Sequence, residues 1–242
     1  MGEPRLRGKI AVVTGGGSGL GRTLVLALAQ EGADVAFSFR RSGRGAEEAS
    51  AAVRACGRRA WTGPADARRA GEIAGFVERA AAEMGGLDVL VNNVGVFAKT
   101  PLAELTEEAL DEAFAVNVKA AVMASRAAAP HMRRRGAGSI VNVASLGGLR
   151  PWPSYVAYCA TKAALVMATQ VLSLALAPEI RVNAVAPGIL DPPGAAEAVR
   201  ARVPLGRFGT HAEAAEAVLY LAAGGSYVTG EVVRVDGGRA LR

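Results

Sequence analysis

Cysteine is nearly missing from this chain: 242 residues hold two, Cys56 and Cys159, far apart. They give no disulfide framework and no metal-ligand spacing, so no metal is expected. Lysine is almost as scarce. Four residues (Lys9, Lys99, Lys119, Lys162) stand against 24 arginines among the 28 basic side chains. No apolar run reaches the roughly 18 residues that a transmembrane helix needs. The segment Met1–Arg7 has no apolar signal core, and Leu6 breaks the myristoylation pattern. A cytoplasmic protein without a membrane partner is the expectation. Charged residues are 21% of the chain and hydrophobic ones 51%, which excludes an intrinsically disordered chain.

Two excesses need explaining. The net charge is +6, and glycine takes 30 of the 242 positions, where about 7% is usual. Basicity of this size fits nucleic acid, an anionic membrane or a small anionic ligand. The arginines are scattered, however, and the densest run, Arg133-Arg134-Arg135, suits the negative end of a helix dipole. A solvated surface is the simpler reading, and no nucleic-acid partner is expected. Excess glycine in a well-mixed apolar sequence points to tight turns and close backbone approaches.

Short apolar runs alternate with helical periods. Strands are read at Ile10–Thr14, Val35–Phe39, Ala60–Thr62, Leu87–Val91, Ser139–Val143, Val182–Ala186 and Glu231–Val235. Helices are read at Leu20–Gln30, Ala46–Cys56, Arg68–Met84, Thr106–Arg135, Tyr158–Ala175 and Ala212–Ala222. Strand–helix alternation implies an α/β fold: one doubly wound Rossmann-type domain over 1–242, a seven-stranded parallel sheet with helices on both faces. Strands without polar alternation fit burial on both sides. Such sheets bind ligands beyond the C-terminal ends of their strands, so the residues after each strand carry the functional reading.

After the first strand comes Thr14-Gly15-Gly16-Gly17-Ser18-Gly19-Leu20-Gly21. A glycine-rich strand-to-helix turn lets the backbone approach a pyrophosphate at a helix N-terminus. After the second strand, Phe39 stands where an acid would bind a ribose 2′-hydroxyl. Arg40, Arg41 and Ser42 beside it suit a 2′-phosphate, which favours NADP(H) and leaves NAD(H) possible; the alternative is that the arginines face solvent. After the third strand, Asp66 fits either an adenine amino group or a helix cap near Arg68, with Ala67 beside it. After the fourth, Asn92-Asn93-Val94-Gly95 offers one amide to tie strand ends and a loop to press on the adenosine ribose.

Ser145 lies two residues past the fifth strand. Tyr158 and Lys162 sit four apart on a helix and share a face. Tyrosine titrates near 10, and a neighbouring ammonium lowers that value, so the pair makes a proton-transfer group. Chance Tyr-x-x-x-Lys pairs are common, and the motif alone does not decide the matter.

Taken together, these segments resemble the short-chain dehydrogenase/reductase family in its roughly 250-residue form, including 3-oxoacyl-acyl-carrier-protein reductases and related NADP-dependent carbonyl reductases. The match runs nearly end to end: the glycine turn, Asp66, Asn92 to Gly95, Asn117 in Val116-Asn117-Val118, Ser145, Tyr158-Cys159-Ala160-Thr161-Lys162, Arg181 to Gly188, and Tyr227 to Gly238. The resemblance implies a catalytic tetrad of Asn117, Ser145, Tyr158 and Lys162. Tyr158 would be acid/base. Lys162 would lower its pKa and hold the nicotinamide ribose. Ser145 would position the substrate oxygen, and Asn117 would hold a water in a proton relay. Gly15, Gly17, Ser18, Gly19, Leu20, Gly21, Arg40, Arg41, Ser42, Asp66, Ala67, Asn93, Val94 and Gly95 would hold the dinucleotide, with Pro187, Gly188 and Ile189 lining the nicotinamide.

The family's hydroxyl after Pro-Gly is missing here. The sequence reads Ile189-Leu190-Asp191-Pro192-Pro193, and the substrate lid, about 189–205, is short. The implied activity is hydride transfer between NADP(H) and a carbonyl or secondary alcohol. The altered lid keeps open a cofactor-binding sensor with little turnover. The resemblance further implies a homo-oligomer, tetramer or dimer, packed through alanine-rich faces such as Ala120-Ala121, Ala127-Ala128-Ala129 and Ala163-Ala164; the same alanines could instead face the chain's own sheet.

Overall fold

The computed structural model describes residues 3–191 and 200–242. Seven strands form one sheet: β1 (Ile10–Val13), β2 (Asp34–Phe39), β3 (Ala60–Pro64), β4 (Val89–Asn92), β5 (Gly138–Val143), β6 (Ile180–Pro187) and β7 (Val232–Val235). Every pairing is parallel, in the order β3-β2-β1-β4-β5-β6-β7. The helices are α1 (Gly19–Gln30), α2 (Gly43–Ala55), α3 (Ala70–Met84), α4 (Glu107–Phe114), α5 (Ala120–Arg134), α6 (Val156–Leu176) and α7 (His211–Ala223). The expected α/β architecture is the one found.

The strands are apolar on both sides because both sides are covered. Leu24, Val25 and Leu28 of α1, Val53 of α2 and Val218 and Leu221 of α7 pack on one face. Ile73, Phe76 and Val77 of α3 and Ala124, Ala128 and Met132 of α5 pack on the other. The order turns back on itself at β1, whose neighbours are β2 and β4. At such a switch the connections leave to opposite faces and a crevice opens beyond the strand ends.

The long helix expected over 106–135 is continuous in course but not in winding. Thr106 caps α4, its hydroxyl accepting from the Ala109 N–H at 3.2 Å. A π-helical turn, Ala115–Lys119, then joins α4 to α5. Such a turn adds a residue and re-aims side chains, often at functional sites, and Asn117 lies inside it. The arginine run at the far end behaves as a helix terminus: Arg135 pairs with buried Asp88 at 2.9 Å and Arg133 with Glu179 at 3.7 Å.

The alanines offered as a subunit face at 120–121 and 127–129 are buried within the chain, with Ala120, Ala127, Ala128 and Ala129 in the core shared with α3. Ala163 of α6 is exposed instead, as are Met167, Val171 and Leu174. Among the described residues α6 alone has the length and mean hydropathy, 1.5, of a possible membrane span. It also carries Lys162, Thr169 and Ser173 buried against the rest of the fold, which is how a packed helix reads.

Beneath the crevice lies a buried polar strut. The Asn92 amide donates to Asn142 Oδ1 at 2.8 Å and to Ser125 at 3.2 Å, while Asn142 donates to Thr169 at 2.9 Å. This strut joins β4, β5, α5 and α6. Asn142→Leu removes its centre, taking the nearest acceptor from the Asn92 amide and the amide donor from Thr169. We expect the variant to lose about 1–3 kcal/mol in the unfolding free energy measured by urea titration monitored by circular dichroism.

Candidate active site

The glycine-rich turn is shaped by what it lacks. A Cβ at Gly21 would lie 2.0 Å from the Gly15 carbonyl oxygen and 2.6 Å from Asn93 Nδ2, so only glycine lets α1 start this close to β1. The turn is braced by side chains just past the strands. Ser38 Oγ accepts from the Gly15 N–H at 3.0 Å. Thr14 Oγ1 accepts from Asn93 and Val94 at 3.0 and 3.2 Å, and Asn93 Nδ2 donates to the Thr14 and Gly15 carbonyls. Both asparagines after β4 are therefore ties. Ser18 caps α1 without a side-chain hydrogen bond, and the first turn holds no acid. Its N–H groups are left for an anionic ligand.

A cavity of about 510 Å³ opens at this turn. Its wall contains Gly15, Gly17, Ser18, Leu20, Gly21, Arg40, Arg41, Ser42, Asp66, Ala67, Asn93, Val94 and Gly95, and Gly19 sits beside it with φ +50°. Arg40 and Arg41 are exposed on its rim and make no ion pair among the described residues. Asp66 is clamped. Arg68 Nε donates to both its oxygens, at 3.1 and 2.9 Å, and the Arg68 backbone N–H adds a third bond. That clamp, with a smaller pull from Arg40, holds the carboxyl down to about 2. The capping residue of α3 is Arg69, so Asp66 caps a turn rather than the helix itself.

The second half of the crevice is built around Lys162. This ammonium is 4% exposed and donates to the Val143 carbonyl, at the end of β5, at 2.8 Å. It lies over the Tyr158 ring, 5.9 Å from its centroid. Burial lowers its pKa to about 8. Asn117, in the π turn, accepts from Val96 N–H at 2.8 Å and donates to Val96 O and Thr161 Oγ1. A Cβ on Gly95 would meet Asn117 Oδ1 at 3.2 Å and Lys162 Nζ at 3.4 Å, which shows how closely these three groups converge. Ser145 is buried, accepts from the Gly147 N–H at 3.0 Å and stands near enough to Tyr158 to pull its pKa down.

One expectation is reversed here. The four-residue spacing implies that Lys162 lowers the Tyr158 pKa. Burial is the larger influence and raises it, opposed by the nearby Ser145 side chain. The Lys162 ammonium stands over the ring and bonds to a backbone carbonyl instead.

The large cavity does not reach Tyr158, Lys162, Pro187, Gly188 or Ile189. Pro187 ends β6 against Val235, and the Gly188 N–H donates to the Val235 carbonyl at 2.9 Å. Residues 192–199, with Pro192, Pro193 and the middle of the expected lid, lie outside the described residues. The flanks are described: Leu190 bridges to Gly209, and Leu205 N–H donates to the Gly237 carbonyl. Sequence reading missed an aromatic wall. Phe97 stacks on Tyr155 at 4.9 Å and meets Tyr158 edge-on at 4.8 Å, and Trp152 stacks on Tyr158 at 6.1 Å. The one available signal was that Phe97 lies five residues past β4.

Comparisons with known proteins agree with this geometry. The short chain dehydrogenase family profile matches residues 9–202. An uncharacterised oxidoreductase of Mycobacterium tuberculosis is 40% identical over 97% of this chain and 93% of its own. A 3-oxoacyl-[acyl-carrier-protein] reductase of Thermotoga maritima is 37% identical over 98% of this chain and 100% of its own. Among solved structures, a short chain dehydrogenase of Burkholderia cenocepacia in complex with NADP superposes with a TM-score of 0.92 at 38% identity, covering 97% of this chain and 99% of that one.

The buried ammonium sets a pH dependence of stability. Below about 8 Lys162 is protonated both folded and unfolded, and the burial penalty is complete. Between about 8 and the ordinary 10.5 the unfolded chain holds the proton and the folded chain has released it, so the penalty fades as pH rises. Lys162→Met removes the penalty at every pH. In urea unfolding, the variant's stability relative to the parent should therefore fall by up to about 3 kcal/mol from pH 8 to 10.5.

Proposed function

The chain belongs to the short-chain dehydrogenase family, and from that membership we propose an NADP(H)-dependent carbonyl reductase or alcohol dehydrogenase with Tyr158 as its acid/base. The observation that carries the reading is the convergence of buried Ser145, Tyr158 and the Lys162 ammonium, which lies 5.9 Å from the centroid of the Tyr158 ring. An arrangement this costly to bury has no simpler use in the core than proton transfer.

The residues present fit a dinucleotide. The turn packs so closely on α1 that Gly21 admits no Cβ, α1 begins without a side-chain cap, and Arg40, Arg41 and Ser42 border the cavity at this turn. Ser42 starts α2 with its hydroxyl uninvolved in capping. Two guanidinium groups and a hydroxyl, with Phe39 in place of an acid, favour a 2′-phosphate over a bare ribose hydroxyl. When bound, the dinucleotide supplies the hydride exchanged with the carbonyl carbon.

The protein's own part is positioning and proton transfer. Ser145 orients the substrate oxygen. Tyr158, kept protonated by its raised pKa, donates a proton to that oxygen during reduction and accepts it during oxidation. Lys162 supplies a fixed positive charge beneath the ring. Asn117 acts through Val96 and Thr161, holding the loop after β4 against α6. The aromatic wall of Phe97, Tyr155 and Trp152 favours a substrate with apolar surface beside its carbonyl. The exposed stripe Met167, Val171 and Leu174 on α6 supports a homo-oligomer, and the chain's place is the cytoplasm.

Two variants test this. Tyr158→Phe should lower kcat for ketone reduction at least about a hundredfold while NADPH affinity, read by quenching of protein fluorescence, changes little. Unchanged turnover would remove Tyr158 from the mechanism. The double variant Arg40→Ala, Arg41→Ala should raise the Kd for NADPH about thirtyfold and leave the Kd for NADH nearly constant. Equal losses for both cofactors would sink the phosphate assignment.

A further inference from the structure

Beyond Trp152, on the side away from the glycine-rich turn, lies a second cavity of about 460 Å³. Four arginines line it, Arg150, Arg202, Arg239 and Arg242, together with Leu146 and Trp152. They come from three separate parts of the chain. Arg150 follows the short helical turn after Ser145, Arg202 lies in the C-terminal part of the expected lid, and Arg239 and Arg242 follow β7.

The cluster is built rather than incidental. Arg150 donates to the Ala240 carbonyl at 2.7 Å, and also to the carbonyls of Arg239 and Arg242. It pins the last turn of the chain against the catalytic loop. The Arg239 guanidinium then lies over the Trp152 ring, 5.7 Å from its centroid, a favourable cation–π placement. Burial and the charges of Arg202 and Arg150 all disfavour its protonated form, and Asp236 alone opposes them. Asp236 is already engaged, accepting from the Gly238 and Ala240 N–H groups at 3.0 and 2.7 Å. Among the described residues neither Arg202 nor Arg239 has a carboxylate in an ion pair.

Four arginines gather around this concavity with Asp236 as the one carboxylate that offsets Arg239, and such a surplus of positive charge is poised for an anion. The neighbour is the proton donor. Trp152, under Arg239, stacks on Tyr158 with ring planes 16° apart. A Cβ on Gly147 would touch both rings at 3.1 Å. One indole thus separates the arginine cluster from the reacting hydroxyl. We propose that the substrate reduced at Tyr158 carries an anionic head group, a carboxylate or phosphate-like oxyanion, seated by Arg239 and Arg202, with its apolar stretch along Trp152. The inference rests on the carbonyl-reductase reading and names its substrate class.

The test uses methyl ketones ending in a carboxylate, from 5-oxohexanoate through 9-oxodecanoate, each paired with its methyl ester. With NADPH, kcat/KM for the best acid should exceed that for its ester about tenfold or more. Arg239→Gln should lower this ratio about tenfold through KM. Arg202→Gln, at an exposed position, should lower it in the same direction and serves if the Arg239 variant does not fold. A ratio near one in the parent, or a ratio unmoved by both substitutions, overturns the proposal. The phosphonate analogue of the best acid separates the two head groups. The tighter of the two names the class, and its advantage must fall with Arg239→Gln. Titrations followed by tryptophan fluorescence read binding without turnover. Acid binding that exceeds ester binding and is weakened by Arg239→Gln, with no ketone reduced, upholds the anion site and removes the reductase reading. Equal binding of acid and ester removes the anion site alone.

Discussion

The structure depends most on one buried charge. Lys162 places an ammonium group inside the fold with a single backbone carbonyl, that of Val143, as hydrogen-bond partner. No carboxylate ion-pairs with it among the described residues, and burying an unpaired charge is expensive. The arrangement persists because other groups define the space around it. The end of β5 supplies the carbonyl, the Tyr158 ring supplies a polarisable face, and the π turn of Asn117 closes the side toward β4. The register of β5 against β4 and β6, held by the Asn92–Asn142 strut, therefore matters to the ammonium several residues away. A slip of that sheet would move the Val143 carbonyl from its partner.

The dinucleotide side follows the opposite logic. There, function comes from missing side chains and from polar struts that keep the gap open. Gly21 admits α1 to β1, while Thr14, Ser38 and Asn93 satisfy the backbone groups the turn exposes. These struts come from the ends of three adjacent strands, β1, β2 and β4. The switch in strand order at β1 is what puts them around one turn. Glycine excess in the composition and strand topology are thus two views of one crevice.

How far the sequence reveals this depends on the range of the interaction. Strand and helix positions were legible because apolar runs and helical periods are local, and boundary errors stayed within a few residues. The glycine turn, Tyr158 and Lys162 were legible because each motif occupies one turn or one helix face. The π turn was not, since Ala115–Lys119 keeps a helical pattern while its winding changes under tertiary packing. The direction of the Tyr158 shift was misread because proximity of a cation could be inferred from spacing, whereas burial could not. Asp66 showed two roles in sequence; the Arg68 clamp selects the local one without removing it from the cavity wall. The arginine cavity was invisible for the plainest reason: its members are separated by as many as 92 positions.

That last case changes what the net charge of +6 means. Arginines at 133 and 135 terminate a helix through Glu179 and Asp88. Arg68 clamps Asp66, and Arg150 holds backbone carbonyls. Each has a partner, so none offers charge to a ligand. Arg40 and Arg41 on the first cavity, and Arg202 and Arg239 on the second, make no ion pair among the described residues. Between the two pairs stand Lys162, Tyr158 and the aromatic wall, where a reacting carbonyl would sit. A site cationic at both ends and apolar in the middle would discriminate by length and charge at once. A neutral ketone would engage only its centre, so recognition at the far end would act on KM while the Ser145–Tyr158 pair governs the chemical step.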